Sequence, residues 1–413
     1  DGNNLPVTSS LISVYNKVAE LVRAKKVLAA YTPTLGGIAE AVLKMCLGNK
    51  LGFAFDNDVS MNDVFKYNYG SFILEVTDDV NEGKVLGTTT DKCGISLGSE
   101  SVCLCELEKL YEEKLESVYS CNITHEEKPI TNFEYSVSEH KSASIKTAQP
   151  KVIIPVFPGT NCEYDSAKAV SRAGAEPEIF VIKNLTSRDV AESAASFAEK
   201  IKNSQMIFVP GGFSGGDEPD GSGKFITAFF RNGAIKEEVT RLLEQRDGLM
   251  CGICNGFQAL IKLGLVPYGK IIDTDDTCPT LTFNTIGRHQ SRIVRTRIAS
   301  NKSPWLSLMN VGDVVNVPIS HGEGRFFASE ELALELAKNG QIATQYVDLD
   351  GNPTMDAAFN PNGSLFAIEG ITSPDGRVFG KMGHSERIGK DLYRNVPGNY
   401  DIRMFEAAVK YFK

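Results

Sequence analysis

The sequence predicts an α/β protein: a doubly wound, mostly parallel sheet with antiparallel extensions over residues 151–413, preceded by a smaller α+β unit. Three observations predict it. Apolar runs of strand length that do not alternate, such as "KVIIPVFPG", "QMIFVPGG" and "GLMCGI", recur after residue 150. A strand apolar on both sides belongs in a sheet covered on both faces. Helical patterns separate these runs, as they do where crossover helices join parallel strands. Residues 1–120 instead mix helical stretches with short strand signals.

Taken in order, residues 9–28, "SSLISVYNKVAELVRAKKVL", put Leu11, Val14, Tyr15, Val18, Leu21 and Val22 on one helical face after a Thr/Ser cap. A second helix, "GGIAEAVLKMCLGN", is closed by Gly48. Strands follow at 70–76 and 84–90, then charged helical material at 104–116. Together they make an α+β unit of ordinary domain size. Residues 121–150 are polar with little periodicity and read as a linker, one that can be ordered against its neighbours. After Pro150 come strand "KVIIPVFPG", helix "DSAKAVSRAGA", strand "EIFVIK", helix "SRDVAESAASFAEKIK" and strand "QMIFVPGG". A helix within 224–246, strand "GLMCGI" and helix "NGFQALIKLG" complete the alternation. Between 280 and 383, "SRIVRTRI" and "FAIEGITSPDGRVFG" predict antiparallel ribbons that extend the sheet, and the amphipathic helix "DIRMFEAAVKYF" closes the chain.

A chain of 413 residues with 42% hydrophobic and 23% charged residues supports more than one core. Its formal charge is −9, with 14 Lys+Arg against 21 Asp+Glu in residues 1–150 and 29 against 31 beyond. Neither part has the cationic excess that neutralises phosphates, so nucleic acid is not an expected partner. The basic run Arg288, Arg292, Arg295 and Arg297 reads as a solvated strand face or a protein contact. The sequence holds neither a membrane-length apolar run nor a secretory pattern at its start, which predicts a cytoplasmic protein with no membrane partner. It starts without methionine in what reads as the approach to a helix, the expectation for a fragment of a longer chain. Nine cysteines, an odd number scattered through a large α/β chain, predict reduced thiols.

The stretch "CGICNGFQAL", residues 251–260, carries the chemistry. Its C-x-x-C, Cys251 and Cys254, reads as a buried structural pair, a redox dithiol, half a metal site, or a strand residue followed by a nucleophile. Only Cys254 is bracketed by glycines, Gly252 and Gly256, at the junction of a strand and a helix. A nucleophile on so sharp a turn needs small residues two before and two after it. The turn also sets Cys254 at the positive end of the helix, which favours an anion. A structural zinc at this pair would want a second pair or histidines at ligand spacing, and Cys162 and Cys278 offer neither arrangement, so no metal site is assigned. Of five histidines, His125 and His140 fall in the linker, while His384 lies in "GKMGHSERIG", two residues before Glu386. An H-x-E after a strand lets the carboxylate orient the imidazole, although most such pairs are surface pairs. The loop "VPGGFSGGDEPDGSGKF" fails as a phosphate loop, which would need glycine at Glu218 and Ser or Thr at Phe225. Gly211 and Gly212 can instead aim a backbone amide at the crevice beside the amide of Asn255, two donors for an oxyanion.

These motifs resemble the class I, or triad, glutamine amidotransferases. More closely, "PVFPGTNCEYDSAKA", "GGFSGGDE", "GICNGFQAL", "PISHGEGRF" and "GHSER" are similar to the glutaminase domain of the phosphoribosylformylglycinamidine synthase family, over essentially all of residues 151–413. The resemblance implies a flavodoxin-like doubly wound fold. It implies that Cys254 attacks the glutamine amide, that Gly212 and Asn255 hold the oxyanion, and that His384, oriented by Glu386, protonates the departing ammonia. Gln258, Ser320, His321 and Gly322 become the candidates for holding glutamine, with plain packing the other reading of Gln258. The glutaminase domain needs no cofactor, whereas ATP and magnesium act on formylglycinamide ribonucleotide in synthetase domains of the full-length enzyme, expected as a monomeric single chain. "LGGIAEAVLKMCLGNKLG", residues 35–52, resembles the C-terminal lobe of the synthetase-type unit shared with aminoimidazole ribonucleotide synthetase. The Asp-rich "D-x-S-D-G-G" frequent there is replaced by "YTPTLGG", so no nucleotide or metal ligand is assigned to residues 31–37. Two other readings compete: a DJ-1/PfpI-like cysteine hydrolase, which usually has its histidine directly after the nucleophile, where Asn255 stands here, and a non-catalytic glutamine-binding module.

Overall fold

The computed structural model describes residues 2, 5–77, 80–120, 129–216 and 222–413. Its contacts divide the chain into two compact units, Asp1–Asn122 and Ile123–Lys413. Among the described residues no helix is long and apolar enough to cross a membrane.

The first unit runs α1 (Thr8–Arg23), β1 (Val27–Tyr31), α2 (Gly37–Asn49), β2 (Gly52–Phe55), α3 (Met61–Phe65), β3 (Ile73–Val76), β4 (Gly87–Thr90), β5 (Gly94–Leu97), β6 (Glu100–Cys103) and α4 (Leu104–Glu113). β1 pairs with β3, and the other four strands form a sheet in the order β4-β2-β5-β6. The core is small: Ile38, Val42, Cys46, Val59, Val64 and Leu104. Three details differ from the sequence reading. The first helix stops at Arg23, because Lys25 turns left-handed at φ 58° and the next residues enter β1. Its cap is Val7, with no side-chain hydrogen bond. Gly48 lies inside α2, which ends where Lys50 turns left-handed.

The second unit contains β7 (Lys151–Val156), α5 (Glu163–Arg172), β8 (Glu176–Val181), α6 (Ser187–Lys202), β9 (Met206–Val209), α7 (Lys224–Phe230), α8 (Gly233–Gln245), β10 (Leu249–Ile253), α9 (Asn255–Leu263) and the short α10 (Leu265–Tyr268). β11 (Thr280–Phe283), β12 (Gln290–Ile298), β13 (Val314–His321), β14 (Glu323–Phe327), α11 (Glu330–Lys338), β15 (Ile342–Val347), β16 (Ile368–Thr372), β17 (Val378–Lys381) and α12 (Met404–Tyr411) follow. The nine-stranded sheet has the order β13-β12-β15-β16-β17-β10-β9-β7-β8. From β17 to β8 every pairing is parallel, and from β13 to β17 every pairing is antiparallel. The apolar runs sit in the parallel half, where β9 and β10 are buried along their whole length. α6 is bounded as the sequence predicts, because Thr186 and Asp189 form a capping box at its start. The helix expected within 224–246 is two helices, separated where Asn232 leaves the helical conformation and caps α8.

Residues 129–150 form no helix or long strand but are bonded into this unit. Phe133 and Ala143 join its core, the Phe133 amide donates to Gln345 Oε1 at 3.0 Å, and the Ala143 amide donates to the Tyr411 carbonyl at 2.9 Å. Arg297, expected on a solvated face, is buried here. Its guanidinium donates to the Phe133 carbonyl at 3.1 Å and pairs with Glu134.

Candidate active site

β10 leads directly into α9 through Cys254, whose φ of 54° and ψ of −108° lie outside the usual regions for an L-residue. Such a conformation costs about 1–3 kcal/mol and persists only where the surroundings impose it. Two glycines let the surroundings do so. A Cβ on Gly252 would lie 2.6 Å from the carbonyl carbon of Gly256, and one on Gly256 would lie 2.0 Å from the Val209 oxygen. The glycine bracket is therefore a packing requirement of the junction. Cys251, three residues earlier, is fully buried, and burial pushes its thiol pKa well up.

Strand register brings the other groups to Cys254. β10 and β17 are parallel with Ile253 opposite Lys381, and the Cys254 amide donates to the Lys381 carbonyl at 2.9 Å. His384, just beyond β17, lies beside Cys254: a Cβ on Gly211 would be 2.7 Å from His384 Cε1 and 3.4 Å from Cys254 Cβ. His384 Nδ1 is 2.6 Å from Glu386 Oε1, and both side chains are buried. Burial opposes charging of His384, but the Glu386 carboxylate, assisted by hydrogen bonds with Cys162 and Cys254, raises its pKa well above the ordinary imidazole value. Burial also opposes the Glu386 carboxylate, and the His384 charge outweighs it and holds that pKa down.

The turn that carries His384 rests on a buried ion pair. Lys381 Nζ is 3.2 Å from Glu369 Oε1, with both side chains fully buried. Lys381 also donates to the Gly383 carbonyl at 2.8 Å and to Ser385 Oγ at 3.1 Å. Glu369 accepts from the Gly383 amide at 2.6 Å and from the Thr344 hydroxyl. Removing one member of such a pair costs about 3–5 kcal/mol, because the other is left as an unpaired buried charge. Neither residue is marked by its local sequence; a lysine in an otherwise buried strand end is the only trace.

An open cavity of about 240 Å³ lies over Cys254. Gly212, Gln258, Ser320, His321 and Gly322 line it, as the sequence motifs lead one to expect. Asn255 stands behind the wall. Its Oδ1 accepts from the Ser214 amide at 3.2 Å and its Nδ2 donates to Gln258 Oε1 at 2.9 Å, which ties the glycine loop to α9. Gln258 is likewise engaged, donating to the Glu323 carbonyl. The Cys254 thiol donates to the Ser320 carbonyl at 3.8 Å, and the Ser320 hydroxyl lies 3.0 Å from His289 Nε2. His321 is buried and has no hydrogen-bond partner for either ring nitrogen among the described residues. Burial, reinforced by the charges of His384 and His289, lowers its pKa to about 3.

Sequence reasoning missed several groups. Phe213, Phe283, His289 and Glu323 also line the cavity, and Arg288, read as part of a solvated face, lines it too. Cys162 lies against the His384–Glu386 pair: its Sγ is 3.8 Å from His384 Nδ1 and accepts from Arg387 Nη2 at 2.9 Å. The loop turn and helix start of "PGTNCEYD" were the only local signal. His125 and Glu218 lie outside the described residues.

Residues 149–412 match the family described as the CobB/CobQ-like glutamine amidotransferase domain. The phosphoribosylformylglycinamidine synthase subunit PurQ of Methanococcus maripaludis strain C7 is 35% identical over 255 residues, which cover 62% of this chain and 87% of that protein. The PurQ subunit of Aquifex aeolicus is 32% identical over 254 residues, covering 60% of this chain and 95% of its own length. A solved structure of PurLQS from Thermotoga maritima is 25% identical, with a TM-score of 0.47, over 64% of this chain and 100% of the matched one.

Proposed function

Because this chain belongs to the CobB/CobQ-like glutamine amidotransferase family, we propose that it hydrolyses glutamine to glutamate and ammonia as the glutaminase part of a phosphoribosylformylglycinamidine synthase. The observation that carries this reading is Cys254 on a strained, glycine-bracketed elbow, beside a buried His384–Glu386 pair and open to a cavity.

The chemistry follows from the arrangement. Cys254 Sγ attacks the side-chain amide carbon of glutamine, and the carbonyl oxygen becomes an oxyanion facing the backbone amides of Gly212 and Asn255. His384 holds the proton and passes it to the departing nitrogen, so that ammonia leaves and a glutamyl thioester remains. Water, activated by the now neutral His384, attacks the thioester; glutamate leaves and the thiol is restored. Glu386 keeps the imidazole oriented and stabilises its cation throughout. Around the substrate, Arg288 and Glu323 bring opposite charges into the cavity wall, as the carboxylate and ammonium of a free amino acid require. Ser320, His321 and Gly322 form the edge nearest Cys254, with Gln258 supporting it from α9.

The ammonia would serve the conversion of formylglycinamide ribonucleotide to formylglycinamidine ribonucleotide, with ATP and magnesium, at synthetase domains, and residues 1–120 would be a lobe of one of them. Magnesium does not fit residues 31–37. Glu40, the carboxylate at that loop, accepts from Lys44 at 2.6 Å, Thr34 at 2.7 Å and the Gly36 amide at 2.9 Å, and these bonds lower its pKa to about 2. No step is assigned to the metal in this unit.

Ammonia release from glutamine by the full-length protein tests the reading. Release is expected, and His384→Ala is expected to reduce it by roughly 10⁶-fold, the scale for loss of the triad histidine. Unchanged release in that variant would exclude the assignment.

A further inference from the structure

The first unit gathers three thiols. Cys93 precedes β5, Cys103 ends β6 and caps α4, and Cys105 lies in the first turn of α4. The antiparallel pairing of Gly94 with Cys103 brings the start of β5 beside the end of β6. A hydrogen bond of 3.3 Å from the Leu104 amide to the Cys93 carbonyl fixes that approach. Cys93 Sγ and Cys105 Sγ are 3.7 Å apart, and all three sulfurs lie within 4.8 Å of one another. All three residues reach solvent.

From this geometry we infer that Cys93, Cys103 and Cys105 form a binding site for a thiophilic divalent cation of the zinc type, with a fourth position open to water or an outside ligand. The distances decide in its favour. A tetrahedral zinc–thiolate centre with bonds of about 2.3 Å has sulfur–sulfur edges of about 3.8 Å. One edge already has that length, and the others need to close by no more than about 1 Å. Lys50, the nearby cation, is paired with Glu108. Binding would form three metal–sulfur bonds and release three thiol protons to solvent.

A disulfide between Cys93 and Cys105 is the rival outcome, and it would leave Cys103 unused. The test uses the full 413-residue chain, tag-free and reduced, loaded with zinc and dialysed. One retained zinc per chain is expected, with protection of Cys93, Cys103 and Cys105 from iodoacetamide in peptide-resolved mass spectrometry. Cobalt in place of zinc should give a sulfur-to-metal charge-transfer band. Cys103→Ser and Cys105→Ser should lose both the retained metal and the band, whereas Cys278→Ser and Cys162→Ser should keep them. The protection measurement needs no variant and stands even if a substituted chain folds poorly. Absence of retained zinc, zinc undiminished in Cys103→Ser, or a mass lower by two hydrogens in the Cys93–Cys105 peptides would each overturn the proposal.

Discussion

Two strands of the parallel half, β7 and β10, each end in a loop that delivers a cysteine to the N-cap of the following helix: Cys162 before α5 and Cys254 before α9. Both thiols lie beside His384, around Gly211. They differ in backbone and in access. Cys162 has an ordinary φ of −111°, is 1% exposed, and is enclosed by Asn161 and Arg387. Cys254 has φ 54°, is 5% exposed, and opens onto the cavity. Proximity to an imidazole therefore does not distinguish the two thiols; a strained turn that presents the sulfur to an open cavity does.

This contrast can be broken or sharpened by substitution. The largest effect among these is expected from the carboxylate that orients the imidazole beside both thiols. Glu386→Gln should reduce glutamine hydrolysis by about 10²–10⁴-fold, the scale for removing the orienting carboxylate of a triad. It should also move the alkaline limb of the pH profile. The imidazolium exists below its pKa and is lost as pH rises through it. Without the carboxylate that raises this pKa, the loss occurs at lower pH, readable as the pH dependence of alkylation by a glutamine analogue. If the limb stays in place, Glu386 is not what holds the charge on His384.

Gly211 separates the two thiols. A Cβ there would lie 2.7 Å from His384 Cε1, 3.2 Å from Cys162 Sγ and 3.4 Å from Cys254 Cβ. Gly211→Ala should therefore displace the imidazole and reduce alkylation by about 100-fold, as misplacement by an ångström can. Folding stability, followed by denaturant unfolding, should fall by only about 1–2 kcal/mol. Equal loss of stability and reactivity would mean that the residue acts on the fold alone. The smallest effect is expected for Cys162→Ala, which should stay within about tenfold of the parent in hydrolysis. A loss as large as that of a triad member would erase the distinction between the two loops.

The elbow was legible because its signal is local. Gly252, Cys254 and Gly256 are close in sequence, and their spacing reports a steric need met within one strand–helix turn. The parallel strands were legible for a similar reason, since burial on both faces removes alternation from the sequence. Cys162, Arg288, His289, Lys381 and Glu369 were not legible in these roles, because each gains its place from register or loop approach between distant segments. Lys381 looks like any lysine after a strand until Glu369 on β16 is seen against it. In the first unit, β2, α3, β5 and β6 went unread. The three sheet strands have only four residues each and α3 five, too short for a period to emerge. The helix expected over 224–246 divides for a local reason that was overlooked, the cap at Asn232.

The central claim is that Cys254, not Cys162, is the nucleophile. It is tested most directly by treating the full chain with a glutamine-derived alkylator and mapping the adduct by peptide mass spectrometry. The account predicts one adduct on the peptide containing Cys254, none on Cys162, and an unlabelled Cys254→Ala chain. An adduct on Cys162, or equal labelling after Cys254→Ala, would contradict it.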